Sequence, residues 1–327
     1  MLDEKAIYFL CAKVGYYFTD AIPASMTRLN NRDGVCMLVI YCKNIIKRYS
    51  RQSLGWVTGL LLIFIISGCP KNESLNAAGS TTVLPVVATA AERFKALHGV
   101  NVIVNAGGSG VGINQLGEGK IAIGMISRDI SEAEIKQYPN VHFVIHSIGK
   151  DAVVPVVSSE IYDAGIKALS LQQIGKIYLG EINNWKQLDG PDKGILVVDK
   201  EKSRGTRHVF MEIVLGDKEA NAPGADLVLG DNNEEQTAIS QSDSAIGMLS
   251  NAWLNNAVKG LSIILQDGSV IEPKLENIIN GKFPITRDLL LVTNGEPAGN
   301  TKAFIDFILG DEGQKIVRDS GYVSLER

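Results

Sequence analysis

Three loops in the sequence gather residue types suited to holding an anion. AGSTTVLP, residues 78–85, places Ser80, Thr81 and Thr82 after a glycine. NAGGSGVG, residues 105–112, offers Ser109 and Gly110 among further glycines. EKSRGTRHVF, residues 201–210, sets Gly205 and Thr206 among Lys202, Arg204 and Arg207. Each loop lies between an apolar run with strand character and a run with helical spacing. Glycine lets the backbone approach a ligand closely, hydroxyls donate hydrogen bonds, and a helix start offers free N–H groups. Cations at a helix start are locally unfavourable, because that end already carries partial positive charge. The segment around Arg204 is therefore either an indifferent solvated turn or a place for an anion. One such loop reads equally well as an ordinary helix cap; three in one chain, each after a strand, weigh toward a ligand. Ser127-Arg128 follow the run IAIGMI, and Asp151 precedes AVVPVVS. Alone these are a surface charge and a turn residue. With the loops they supply the cation and acceptor that a tetrahedral oxyanion requires.

Other chemistries fit poorly. GSGVG carries Ile113 where a dinucleotide-binding loop needs its last glycine, and GEGK at residues 117–120 is followed by Ile121 rather than Ser or Thr. Four histidines, with no HExxH, argue against a metal site, and no cofactor is expected. GGSGV fails the GxSxG pattern at its last position, and His98 and His208 read as helix-surface residues. An exported hydrolase using Ser80 or Ser109 thus lacks a base, and an enzyme is not expected. The net charge of −4 excludes a general nucleic-acid binder.

The elements that must position these loops alternate along the chain. Residues 100–106, 120–126, 141–148 and 152–158 read as strands, as do ILVVDK and DLLLVTN. Residues 83–97 and 206–215, and later TKAFIDFILG and DEGQKIVRDSG, have helical spacing. This is the pattern of an α/β fold with largely parallel sheets flanked by helices.

All four cysteines, Cys11, Cys36, Cys42 and Cys69, lie in the first part of the chain. Lys43, Lys47, Arg48 and Arg51 precede the run WVTGLLLIFIISGC, which suits a secretory signal better than a bilayer span. Its ending, Ile66-Ser67-Gly68-Cys69, resembles a lipobox. The alternative is an uncleaved membrane anchor. Residues 1–68 are thus expected to be an upstream extension plus lipoprotein signal, and 69–76 a tether lipidated at Cys69. The protein would be exported and held at the membrane by its N-terminal lipid, on the cell surface or in the periplasm.

GSTTVLP, GGSGVG, IGMISRDI, GKDAVVPVV, SRGTRHVF and NGKFPITRDLLLVTN occur in an order that resembles the phosphate-specific binding proteins of ABC transporters, from about residue 77 to the end. The resemblance implies a two-lobed class II periplasmic-binding-protein fold with two mixed sheets and the ligand in the cleft. Lobe 1 would be 77–155 with 285–327, and lobe 2 would be 156–284. It implies a monomeric phosphate receptor serving an ABC permease, with Thr81, Thr82, Ser109, Gly205 and Thr206 at family ligand positions. Arg204 stands where the family usually has Ser, and Lys200 where some members carry the ligand-binding Arg. Either the cation has moved to Arg128 or Arg204, with Lys200 turned to solvent, or the site takes a different anion. A binding protein or sensor for another oxyanion is therefore the second reading. Phosphate keeps a proton that sulfate lacks, so one acceptor should separate them. Asp151 is the candidate for that acceptor and Asp129 its rival, although Asp129 also suits a cap for the helix near Ser131.

Overall fold

The computed structural model describes residues 74–325. The expected signal, Cys69 and most of the tether lie outside the described residues. Among those described, no helix is long and apolar enough to cross a membrane.

The chain opens with strand β1 (Leu75–Gly79), helix α1 (Leu84–His98), β2 (Val102–Ala106), α2 (Ser109–Gly117), β3 (Ile123–Ile126) and α3 (Glu132–Gln137). Strand β4 (Phe143–Ser158) follows, then α4 (Ser159–Asp163), β5 (Ala168–Ser170), α5 (Leu171–Tyr178), β6 (Leu196–Lys200) and α6 (Gly205–Leu215). After these come β7 (Leu227–Leu229), α7 (Asn232–Ser240), β8 (Ala245–Ser250), β9 (Val258–Gly260), β10 (Ser262–Ile264), β11 (Val270–Ile271) and α8 (Leu275–Ile279). Strand β12 (Thr286–Asn294) and helices α9 (Gly299–Leu309) and α10 (Asp311–Asp319) complete the described chain.

Nine strands form one sheet in the order β2-β1-β3-β12-β4-β8-β6-β7, with β9 also on β4. β1, β2 and β3 run parallel, as do β6, β7 and β8, while β12 and β4 pair antiparallel between those groups. The two sheets expected from the sequence thus share β4, a single strand of 16 residues. The two runs read as separate strands, 141–148 and 152–158, fall from residue 143 onward in this one strand, so Asp151 lies within it rather than in a turn. The hydrophobic chemistry on both sides of Asp151 favours continuing the strand, because each end buries in a different core.

The described residues form two larger separate cores and a smaller cluster of Ile113, Leu116, Ile126, Leu290 and Val292. One larger core gathers Val87, Phe94, Met125, Leu289 and Phe304 from β1–β3, α1, β12 and the last helices. Phe94 meets the edge of Phe304 at 5.2 Å between ring centroids, an arrangement worth about 0.5–1.5 kcal/mol beyond burial. The other gathers Val154, Val156, Ile177, Trp185, Phe210 and Met248. β4 and the segment entering β12 run between them, contributing Ile148 and Leu289 to the first and Val153 and Ile285 to the second.

Candidate functional site

The parallel strands β1, β2 and β3 end together. Gly79 makes this possible: at φ 140°, its carbonyl accepts from Gly107 N (3.0 Å) and Gly108 N (2.8 Å), while Ser80 N donates to the Met125 carbonyl at 2.8 Å. A side chain at this position would strike that Met125 carbonyl, so glycine is required. The junction brings three hydroxyls into contact. Ser80 Oγ donates to Ser127 Oγ at 2.9 Å, Ser127 and Ser109 hydroxyls lie 3.4 Å apart, and Ser127 N donates to Ser109 Oγ at 3.1 Å. Ser80 Oγ also accepts from Thr82 N at 3.2 Å and so holds the turn that leads into α1.

Helix α6 belongs to the other core but begins against the same place. Gly110 N donates to the Ser203 carbonyl at 3.1 Å, and Thr206 Oγ1 stands 3.5 Å from Thr82 Oγ1. A Cβ on Gly205 would come within 2.5 Å of Ser109 Oγ and 2.7 Å of Ser127 Oγ. The starts of α1, α2 and α6 therefore converge, and each presents a positive helix end to the same point.

The cation at that point is Arg287 on β12, paired in register with Asp151 on β4. Its side chain is only 3% exposed. Nε and Nη2 donate to Asp151 Oδ2 at 2.9 and 2.6 Å. Nη2 also donates to Thr82 Oγ1 at 3.1 Å, and Nη1 to Thr206 Oγ1 at 3.0 Å and the Ser127 carbonyl at 3.3 Å. Asp151 is fully buried, and its other oxygen accepts from Ser250 Oγ at 2.8 Å. Burial pushes the Asp151 carboxyl above its usual range, and the guanidinium and the Ser250 hydroxyl oppose that shift. Beside Arg287 a cleft of about 390 Å³, lined also by Arg128, Lys150, His208 and Lys218, opens toward solvent. Asn232, at the start of α7, reaches the cluster from the side, its Nδ2 donating to Thr82 Oγ1 at 3.2 Å.

The structure brings Ser80, Thr82, Ser109, Gly110, Ser127, Gly205, Thr206 and Asp151 together, with Thr81 partly buried beside them. The two cations expected there are paired with carboxylates, although Arg128 also lines the cleft beside Arg287 and its Nε is buried with no hydrogen-bond partner among the described residues. Arg128 forks onto Glu134 at 2.9 and 2.7 Å. Burial works against Glu134 ionising, but Arg128 prevails and holds it below the usual carboxylate range. Arg204 donates to Glu201 at 2.9 and 2.7 Å and to Asp231 at 2.6 Å. Arg207 is buried against Asp199 at 3.0 Å. Each cation of the 201–210 loop thus finds an ordinary polar partner, Lys202 taking Asn221. Lys200 does not turn to solvent: it is 1% exposed and pairs with buried Glu235. Ser131, not Asp129, caps α3, through a reciprocal pair with Glu134. His208, expected on the helix surface, is buried and its Nε2 donates to the Lys202 carbonyl at 2.7 Å.

Arg287, Asn232 and Ser250 are functional candidates that the sequence reading did not name. One signal for Arg287 was present: in ITRDLLL, positions 285, 287, 289 and 291 alternate onto one face, and all but 287 are apolar. An arginine on such a face is buried and must be paired.

Residues 68–312 match the model of the PBP superfamily domain. The chain is 34% identical over 253 residues to the phosphate-binding protein PstS of Bacillus subtilis, covering 76% of this chain and 80% of that protein. With the PstS of Borreliella burgdorferi the identity is 29% over 283 residues, covering 82% and 98%. Among solved structures, a phosphate ABC transporter substrate-binding protein from Clostridium perfringens, with bound phosphate, is 33% identical at a TM-score of 0.70 and covers 78% of this chain and all of its own. An ABC-type phosphate transport receptor from Vibrio cholerae is 28% identical at a TM-score of 0.62, covering 77% of this chain and 100% of its own.

Proposed function

The chain belongs to the PBP superfamily, among the PstS-like substrate-binding proteins, and from that premise we propose that it binds inorganic phosphate outside the cytoplasm and delivers it to an ABC permease. The observation that carries this reading is Arg287, a buried guanidinium fixed by Asp151 and touching hydroxyls from both cores. The anion is received by Thr82, Ser109 and Thr206 hydroxyls and by N–H groups at the starts of α1, α2 and α6. Ser80 and Ser127 orient them, and Thr81 lies at the rim. Thr82 and Thr206 already accept N–H bonds from Arg287, which leaves their own protons to donate. Arg287 takes the place proposed from sequence for Arg128 or Arg204, and it offers a planar fork that Lys200 could not.

Residues 77–155 with 285–327 form one lobe in this reading and 156–284 the other, with β4 and β12 as the crossings. Closure is a population shift driven by contacts that exist only when Thr82 and Thr206 approach one another around the anion. The tether carries a lipid at Cys69, which intact mass of the exported protein would reveal. The neighbours of Ser80 and Ser109 are serines, backbone groups and an arginine-held threonine pair, so a serine hydrolase finds no support here.

Isothermal titration of the purified protein tests the central step. One phosphate per chain, bound at micromolar concentration or below and preferred over sulfate, is the expected result. Absence of phosphate binding, or equal binding of sulfate, would refute it.

A further inference from the structure

Asn232 is the first residue of α7 and is 1% exposed. Its Nδ2 is committed to Thr82 Oγ1, across 150 positions of sequence. Its Oδ1 is buried and has no hydrogen-bond partner among the described residues. An acceptor left in that condition is costly, so a buried amide of this kind calls for a partner.

The surrounding groups do not supply one. Arg287 donates to Asp151, Thr82, Thr206 and the Ser127 carbonyl. Asp151 accepts from Arg287 and Ser250 with its two oxygens, so it has little capacity left for a ligand. The hydroxyls of Thr82 and Thr206, which accept from Arg287 and lie 3.5 Å apart, keep their own protons to donate. The cluster is thus rich in donors and has one acceptor to spare. An oxyanion without a proton satisfies the donors but sets an oxygen lone pair against Oδ1. An oxyanion that keeps a proton satisfies both.

We propose that Asn232 Oδ1 accepts the ligand's own proton, so that this amide, rather than Asp151, separates phosphate from sulfate. The proposal rests on the phosphate reading above and adds to it the residue that determines specificity. Because the amide is neutral, sulfate is refused through an unmade hydrogen bond and lone-pair repulsion, not through net charge. The N–H2 of the amide faces Thr82 Oγ1, so Oδ1 is the atom left for the ligand; an amide presenting N–H2 to the anion would favour both ligands alike.

Titration of wild type, Asn232→Ala and Asn232→Asp with phosphate and with sulfate tests it. In Asn232→Ala phosphate affinity should fall tenfold or more relative to sulfate, narrowing the gap between the two anions. In Asn232→Asp, which keeps an acceptor and adds a charge, the gap should widen. Equal weakening of both anions in Asn232→Ala would overturn the proposal, because it would show an amide that only steadies Thr82 or donates to the ligand. An unchanged gap would overturn it too. Should Asn232→Ala fail to fold, a gap that does not widen in Asn232→Asp has the same consequence. A wild-type protein that binds no phosphate would instead bring down the phosphate reading itself, and this inference with it.

Discussion

Arg287→Met should affect folding and binding by separable routes. Removing the guanidinium leaves Asp151 fully buried with the Ser250 hydroxyl and the Asn251 backbone N–H as neutral support for its charge. Breaking a buried pair from one side costs about 3–5 kcal/mol, a large share of the stability of most domains. Adding Asp151→Asn removes the stranded charge, and the double variant should regain about 2 kcal/mol or more of that loss. Phosphate binding should not return with it. All five guanidinium N–H groups are engaged, so the two that meet Thr82 and Thr206 must turn to the ligand on binding, while the threonine hydroxyls donate to it themselves. Two hydrogen bonds from a charged donor are worth about 3–6 kcal/mol, or about 10²–10⁴ in affinity. Guanidinium-chloride unfolding gives the first quantity and titration calorimetry the second. A double variant that is stable and still binds phosphate within about tenfold of wild type would refute a clamping role for Arg287. A single variant that loses no stability would refute the buried pair.

Three further outcomes follow from the same geometry. Gly205→Ala puts a methyl group against Ser109 and Ser127, so titration should show phosphate affinity reduced about tenfold or more while chemical unfolding changes little, each core being intact. Lys200→Met strands Glu235, whose carboxyl burial already pushes up, and should destabilise the fold by about 3–5 kcal/mol in chemical unfolding without selective loss of phosphate over sulfate. Burial and the neighbouring Arg128 hold His208 below its ordinary value of 6.5, so the unfolded chain takes up a proton there first as pH falls. Stability from this group is complete above pH 6.5 and is lost on acidification, at up to about 1.4 kcal/mol per pH unit; His208→Gln should flatten that part of a stability–pH profile.

How far the site could be read from sequence depended on distance along the chain. The loops at Ser80, Ser109 and Thr206 were legible because glycine, hydroxyl and helix start are adjacent in sequence, and the strand-loop-helix pattern predicts their common end of the sheet. Arg287 and Asp151 were not legible as a pair, because their contact is a register between strands 136 residues apart. Arg128 and Arg204 attracted attention by standing beside those loops, whereas their partners Glu134 and Asp231 compete through helix starts of their own. Lys200 was misjudged for a related reason. A lysine at the end of an apolar strand reads as solvated until α7 brings Glu235 beneath it. Two lobes were expected through the family resemblance, whereas the order of elements alone pointed only to an α/β fold; the continuity of β4 through Gly149-Lys150-Asp151 was not foreseeable, since that segment has the composition of a turn.

A crystal structure of the protein grown with inorganic phosphate tests the central claim most directly. The expected result is a single phosphate within about 2.6–3.2 Å of Thr82 Oγ1, Thr206 Oγ1, Ser109 and the Arg287 guanidinium, with Asp151 still held by that guanidinium. Phosphate bound instead at Arg128 or Arg204, or away from the starts of α1, α2 and α6, would contradict it.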